Sequence, residues 1–379
     1  MNKDILLSRR VLDVALIIGS ILVSLLLTAL IILAVGASPL EVFQKIWEGI
    51  GIQPDGIDLG RFAGVVNFWI PLALVSTGLL VTFTAGLWNI GVEGQMMFGA
   101  IFASWVAREV FLPSPVLVTL ELVAAAAGGA LWGALAGVLK TRGGVHEIFG
   151  GVALNNLASI YAIYLISGPW QPPEGGSAQS TPPFRSEALL VPMEGFRVSP
   201  AALALVIVGF VVVFLTLRGT RWGLELKALG KSSRSALLLG VPAHRNAVLA
   251  MMACGALAGL AGGFRVLFTY ASMRPLVSGG IGFLGLLVVL LTGTRALWVP
   301  LVSFLFAGIL AGSTRLKIAL QLDQSLAGVV QGILVLMVIL SNGVRGRLRG
   351  RQFVGVAEEA PPEPELPVDS VQSKEAVRG

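Results

Sequence analysis

Residues 86–100, "GLWNIGVEGQMMFGA", set Asn89, Glu93 and Gln95 in strongly apolar surroundings and interrupt them with Gly86, Gly91 and Gly94. A charged side chain at the centre of a membrane helix costs about 2.5–3.5 kcal/mol. A leucine or isoleucine there returns only about 0.3–0.6 kcal/mol. Glu93 therefore needs about six apolar neighbours to offset it, or a place away from lipid. If 89–97 is one helix, Asn89 and Glu93 stand four residues apart on one face. Gln95 then points nearly the other way, toward another helix. If Asn89 and Gly91 instead mark an unwound break between two spans, helix-start amides are left directed at a polar solute. At such a break Glu93 either borders the solute path or bonds backbone amides and only holds the fold, because a helix start favours a carboxylate for structural reasons alone.

The rest of the chain supplies the surroundings. Of 379 residues 55% are hydrophobic and 13% charged, and the mean hydropathy is +0.84. Soluble domains carry about 25% charged residues, so the composition excludes a soluble fold and implies a polytopic membrane protein. The single cysteine, Cys254, excludes an intramolecular disulfide framework and a zinc cluster. His146 and His244 are too scattered for a metal site. The net charge of +6 does not point to nucleic acid, because the basic residues punctuate apolar segments as topology signals do.

The apolar runs predict an all-α bundle of about ten transmembrane helices: 11–35, 65–85, 91–111, 114–139, 147–168, 199–217, 247–269, 279–293, 297–313 and 324–342. The first run is too long for a cleaved signal. With the N-terminus in the cytoplasm, inside segments hold sixteen of the 27 basic residues and outside segments eight. That asymmetry places both termini inside. Residues 1–351 form the membrane domain, and 352–379, acidic and Pro-rich, form a disordered cytoplasmic tail. A Pro-rich loop at 169–198 lies outside, and 218–246 is the largest inside loop.

Two runs carry glycine ladders, Gly129, Gly133 and Gly137 in one, Gly255, Gly259 and Gly263 in the other. Small residues at this spacing let helices approach closely in lipid. "ALGKSS" at 228–233 contains Gly-Lys-Ser, but Glu225 stands where a phosphate loop requires glycine, so no ATP site is expected. No Ser/His/Asp set or paired carboxylates are evident, and neither enzyme activity nor a cofactor is expected. The inside stretch "GLELKALGKSSRSALLLGVPAHRN" (223–246) reads as one or two short amphipathic helices punctuated by Gly230, Gly240 and Pro242. It either lies on a lipid surface or docks into a partner's groove.

"AGLWNIGVEGQMMFGA" closely resembles the signature of permease subunits of ABC importers, in the branch that serves ribose-type sugars, branched-chain amino acids and nucleosides. "NIGVEGQ" is nearest the nucleoside-type members. "GGVHEIFGGVALNNLA" (143–158) is similar to a family stretch that usually has Asn at the place of His146. "LKALGKSSRSALLLGV" (226–241) resembles the coupling loop, with Ser232-Ser233 where Asn-Pro is common. "GALAGLAGG" (255–263) and "GIGFLGLLVVLLTG" (280–293) also match, and the resemblance covers residues 65–345. It implies the pore-forming permease of an ATP-driven importer in a prokaryotic cytoplasmic membrane, carrying a nucleoside first and a simple sugar next. It also implies ATP-binding cassette subunits, a second and paralogous permease, an extracytoplasmic solute-binding (lipo)protein and surrounding membrane lipids. The polar candidates for the path are Asn89, Glu93, Asn155, Asn156 and Arg265. The coupling loop offers Lys227, Gly230, Lys231, Arg234 and Gly240, with the basic positions aiding docking and Gly230 allowing close approach to the ATPase. The alternative is an ion-coupled secondary transporter with Glu93 as its proton or sodium site.

Overall fold

The computed structural model describes residues 3–53, 56–172, 179–319 and 325–348. The expected tail at 352–379 lies outside the described residues, as do the two ends of the expected 1–351 domain. The helices are α1 Lys3–Ala34, α2 Pro39–Ile50, α3 Leu59–Thr84, α4 Val92–Glu109, α5 Ser114–Thr141, α6 Glu147–Ser167, α7 Pro200–Gly219, α8 Arg221–Lys231, α9 Ser233–Leu238, α10 Ala243–Phe264, α11 Ile281–Thr292, α12 Val299–Ala319 and α13 Ser325–Leu348. The two strands, β1 Ile52–Gln53 and β2 Gly56–Ile57, form a two-residue ladder between α2 and α3. In lipid a helix satisfies its own backbone, which is why the apolar runs resolve as helices.

All ten expected segments are helical. By length and hydropathy, however, six helices among the described residues are fit to cross a membrane: α3, α5, α6, α7, α10 with its extension to Thr269, and α12 from Ala296 to Thr314. A seventh exists if α1 and α2, bent by 110°, count as one broken span. The shortfall from ten has local causes. α4 carries Glu93, Arg108 and Glu109. α11 has 12 residues, about half of what a bilayer requires. The apolar part of α13 is Gly328–Ser341. The sequence reading also missed α2, whose N-cap Ser38, N1 Pro39 and left-handed Gly51 are ordinary helix ends.

α10 stands at the centre, packed against α3, α4 and α5, while α1 pairs with α13 and α2 lies on α12. The two glycine ladders face each other across α5 and α10. A Cβ on Gly259 would lie 2.1 Å from the Ala125 carbonyl oxygen, and one on Gly255 2.2 Å from that of Gly129. The same helix touches α4 equally closely: a Cβ on Gly99 would sit 2.2 Å from the Gly259 Cα. The ladders are thus a packing seam that draws three helices together, as small residues do in lipid.

Within the expected outside loop, residues 179–198 bond the chain that follows α10. Thr181, Phe184 and Leu190 donate their amides to the carbonyls of Met273, Ala271 and Leu267, 2.8–3.2 Å away. These bonds tether the chain between α10 and α11 and so position the start of α11.

Candidate functional site

The opening stretch is a break. α3 ends at Thr84, residues 85–91 are non-helical, and α4 begins at Val92. Gly86, at φ 73°, makes the reversal. Asn89 is therefore not on a helix face shared with Glu93. Its side-chain amide pairs twice with that of Gln95: Asn89 Nδ2 donates to Gln95 Oε1 at 2.9 Å, and Gln95 Nε2 donates to Asn89 Oδ1 at 3.1 Å. Asn89 Nδ2 also reaches Cys254 Sγ on α10 at 3.1 Å. Gln95 folds back on the break instead of reaching toward a distant helix. Asn155 of α6 closes the other side. Its Oδ1 accepts from the Gly94 amide at 2.7 Å, and its Nδ2 donates to the Ile90 carbonyl at 2.9 Å. Two asparagines and a glutamine thus satisfy backbone and side-chain groups that no helix supplies.

Glu93 faces a second helix start. The Phe283 amide donates to Glu93 Oε1 at 3.1 Å. The Gly282 amide and the Ser278 hydroxyl also hydrogen-bond it, and Arg265 contributes an attractive positive charge. A Cβ on Gly282 would lie 2.7 Å from the same oxygen, so a side chain there would push the carboxylate out of its present place. The first turn of α11 carries unpaired amides and the positive end of the helix dipole, and a buried carboxylate complements both. The preceding residues, Gly279 and Gly280, have φ of +59° and +79°. They turn the chain into α11 through a conformation that other residues adopt only under strain.

Arg265 opens a π-helical turn, Arg265–Thr269, that extends α10. Its Nε donates to the Val277 carbonyl at 2.8 Å, and Nη2 bonds the Tyr270 hydroxyl. Its guanidinium lies 4.8 Å from the Tyr270 ring centroid, with that of Arg274 4.7 Å from the same centroid. The structure thus brings Asn89, Glu93, Asn155 and Arg265 around two helix starts inside the bundle. Asn156 is not among them, for it sits on the exposed face of α6. Tyr270 and Ser278 join the cluster unannounced by any motif, and Gly282 comes from the 280–293 stretch without having been singled out. Also unforeseen is Glu121 on α5, wholly buried, with neither oxygen hydrogen-bonded to a described residue. A glutamate inside the apolar run "VLVTLELVAAAAGG" was the available signal.

The 218–246 loop folds as two short helices, α8 and α9, in keeping with the amphipathic reading. Ser232 caps α9, its hydroxyl accepting from the Ser235 amide at 3.2 Å. Asn246 donates to Glu225 at 2.9 Å, which ties α8 to α10, and Arg221 donates to the same carboxylate at 2.9 Å from within α8. The Asn246 hydrogen bond first, and Arg221 after it, hold the Glu225 carboxyl below its ordinary range. Gly230 is exposed yet lies against the end of α3: a Cβ there would sit 2.2 Å from the Thr84 carbonyl oxygen. Its close approach is to its own chain. Leu237, Leu238 and Leu239, by contrast, are 53%, 84% and 78% exposed at the tip formed by α9. Lys227, Lys231, Arg234 and Gly240 are all exposed around it. His146 caps α6 through Nδ1, which accepts from the Ile148 amide at 3.4 Å, the acceptor role an asparagine takes at a helix start.

Comparison with known proteins finds permease relatives over most of the chain. The guanosine ABC transporter permease protein NupP of Bacillus subtilis (strain 168) is 29% identical over 330 residues, 86% of this chain and 93% of that protein. The glucose ABC transporter permease protein TsgB13 of Haloferax volcanii is 28% identical over 302 residues, 77% of this chain and 79% of its own. The guanosine ABC transporter permease protein NupQ, also of Bacillus subtilis (strain 168), is 26% identical over 229 residues, 57% of this chain and 70% of its own. Residues 61–339 match the family described as "Branched-chain amino acid transport system / permease component". That span takes in the α3–α4 break, both glycine ladders, α8–α9 and the start of α11, and the chain belongs to this family of membrane permease components.

Proposed function

We propose that this chain is one permease subunit of an ATP-driven importer for a nucleoside, with a simple sugar as the second candidate. The observation that carries the reading is the meeting of two helix starts, those of α4 and α11, on the Glu93 carboxylate within the bundle. Broken helices whose ends leave amides and polar side chains at depth are how membrane transporters present hydrogen bonds to a polar solute. Asn89, Glu93, Asn155 and Arg265 are the residues assigned to this region, with Glu93 holding the start of α11 and the others ordering the backbone beside it. Asn156, on the exposed face of α6, belongs to the path only if a neighbouring permease completes it. The guanosine and glucose carriers among the relatives favour a polar, hydroxyl-rich solute. NupP and NupQ, two permeases of one organism that both match this chain, favour a paralogous partner subunit.

The second half of the proposal concerns drive. The basic, leucine-tipped α8–α9 unit docks into an ATP-binding cassette subunit. Leu237–Leu239 enter its groove, and Lys227, Lys231 and Arg234 form the charged rim. A solute-binding protein delivers the solute on the opposite side. Ten membrane helices, some broken, with both termini in the cytoplasm, complete the arrangement. Glu93 bonded to amides suits a structural acceptor better than an ion site, so the ion-coupled alternative is not retained. Proteoliposomes holding this chain, its paralogue and the ATPase are the test. Solute should accumulate only with ATP and binding protein present. Uptake by this chain alone on a proton or sodium gradient overturns the proposal.

A further inference from the structure

A cavity of about 860 Å³ lies between the ends of α3 and α7, the flank of α8 and the α11–α12 connection. It is separate from the α4–α11 junction. Four cations line it: Arg218, Lys227, Lys231 and Arg295. All four are exposed, none is in an ion pair among the described residues, and no acidic side chain lines the cavity. Lys227 and Lys231 are four apart on α8 and share a face. Four converging like charges repel one another unless an anion joins them.

The remaining wall is apolar, with Phe83, Phe214, Leu217, Leu297 and Trp298. Arg218 lies over the Phe214 ring, 5.0 Å from its centroid, so charge and apolar surface are contiguous. Trp298 is half exposed, as tryptophans at the membrane–water boundary are. Away from Arg218, the exposed Val208, Val211 and Val212 continue the apolar surface along α7. A free anion uses the four cations and leaves this wall bare. A molecule with an anionic head and hydrocarbon chains uses both. Basic cavities between membrane helices at one face of the bilayer bind such heads.

We propose that this cavity is a seat for one anionic phospholipid, its phosphate among Arg218, Lys227, Lys231 and Arg295 and its acyl chains along Phe214, Leu217 and Trp298. The test uses the full-length chain in mild detergent, titrated with phosphatidylglycerol brominated on its acyl chains. Bromine quenches indole emission on contact, and the Trp298→Phe variant identifies the Trp298 contribution. Quenching of Trp298 is expected at concentrations about tenfold lower than for brominated phosphatidylcholine. Arg218→Gln with Arg295→Gln should bring the two lipids close to parity while the melting temperature without lipid stays unchanged. If that pair unfolds, Arg295→Gln alone is measured and must still weaken phosphatidylglycerol selectively. Equal quenching by both lipids in the native chain overturns the proposal. So does full displacement of the lipid by millimolar inorganic phosphate, which would make the site one for a free anion.

Discussion

The α5–α10 seam and the α4–α11 junction solve the same problem in opposite ways. In the seam both helices run unbroken, every backbone group is satisfied within its own helix, and closeness alone is needed. Glycines on α5 and α10 provide it, with a Cβ on Gly259 already 2.1 Å from a carbonyl oxygen. At the junction the helices begin in mid-bundle, their first amides lack helical partners, and side chains must supply acceptors. Glu93 and Asn155 do so, while Asn89 pairs with the Gln95 side chain. The seam tolerates no added atom, and the junction tolerates no lost one. Glu121 shows the contrast within one residue type. It is a carboxylate like Glu93, buried on α5, but neither oxygen is hydrogen-bonded to a described residue, and the Arg185 charge is its one attractive influence among them.

Adding an atom to the seam should have the largest effect. Gly259→Leu forces α10 away from α4 and α5 together. A cost at or above the upper end of the overpacking range, about 1–3 kcal/mol, is expected, with little folded protein recovered. Gly64→Leu on α3 is the control, because nothing lies within 4 Å of a Cβ there. Size-exclusion profiles and melting temperatures compare the two. Equal behaviour would mean that the seam is not what holds α10.

Removing an acceptor from the junction comes next. Glu93→Ala leaves the Phe283 and Gly282 amides without an acceptor and should cost about 1.5–3 kcal/mol. Glu93→Gln keeps one oxygen near the same place and should cost less, retaining substantial uptake per inserted molecule. A Glu93→Gln protein that melts like the native chain but transports nothing would show that charge at Glu93, rather than acceptance of hydrogen bonds, is what the junction needs.

How much of this the sequence discloses depends on where each interaction is encoded. Ten of the thirteen described helices are visible because each contains an apolar run bounded by polar residues. The seam is visible as two ladders, though their pairing is not, since spacing names no partner. Glu93 stands out as a carboxylate in an apolar stretch. Its partners do not, because backbone amides carry no signature and Phe283 lies 190 residues away. Asn89 and Gln95 were separable only once the break was known: on a continuous helix their side chains diverge, and across a break they meet. The contact of Gly230 is hidden for a related reason. A glycine beside lysines on a surface loop looks like a place for a partner, and the atom it approaches belongs to Thr84, far earlier in the chain.

Glu121 offers the reverse of Glu93. A buried carboxylate without a hydrogen-bond partner is a liability, and an apolar side chain of similar shape removes it. Glu121→Met should melt at or above the native temperature, a gain of about 1 kcal/mol, whereas Glu93→Met should fall. If Glu121→Met is the less stable of the two, α5 holds a polar role at this position and the contrast between seam and junction fails.

The smallest effect is expected outside the membrane, at a third carboxylate. Glu225 accepts from Asn246 and Arg221, and its pKa is held below the ordinary carboxylate value. A group depressed in the folded state adds stability that is present above its unfolded value, about 4.3 for glutamate, and is lost as pH falls through the lowered folded value. The tie between α8 and α10 should therefore hold at neutral pH and loosen only in acid, below the ordinary carboxylate range. Solvent screens an exposed pair, so the loosening should be local, without global unfolding. Hydrogen exchange at the α8 amides measures it. In the native chain, protection of α8 relative to α10 should fall as the pH is lowered into that window. In Asn246→Ala the fall should begin at higher pH, because the first of the two donors is gone. In Glu225→Gln the pH step should vanish. A step that persists in Glu225→Gln would assign it to another group and leave α8 held by packing alone, as the seam is.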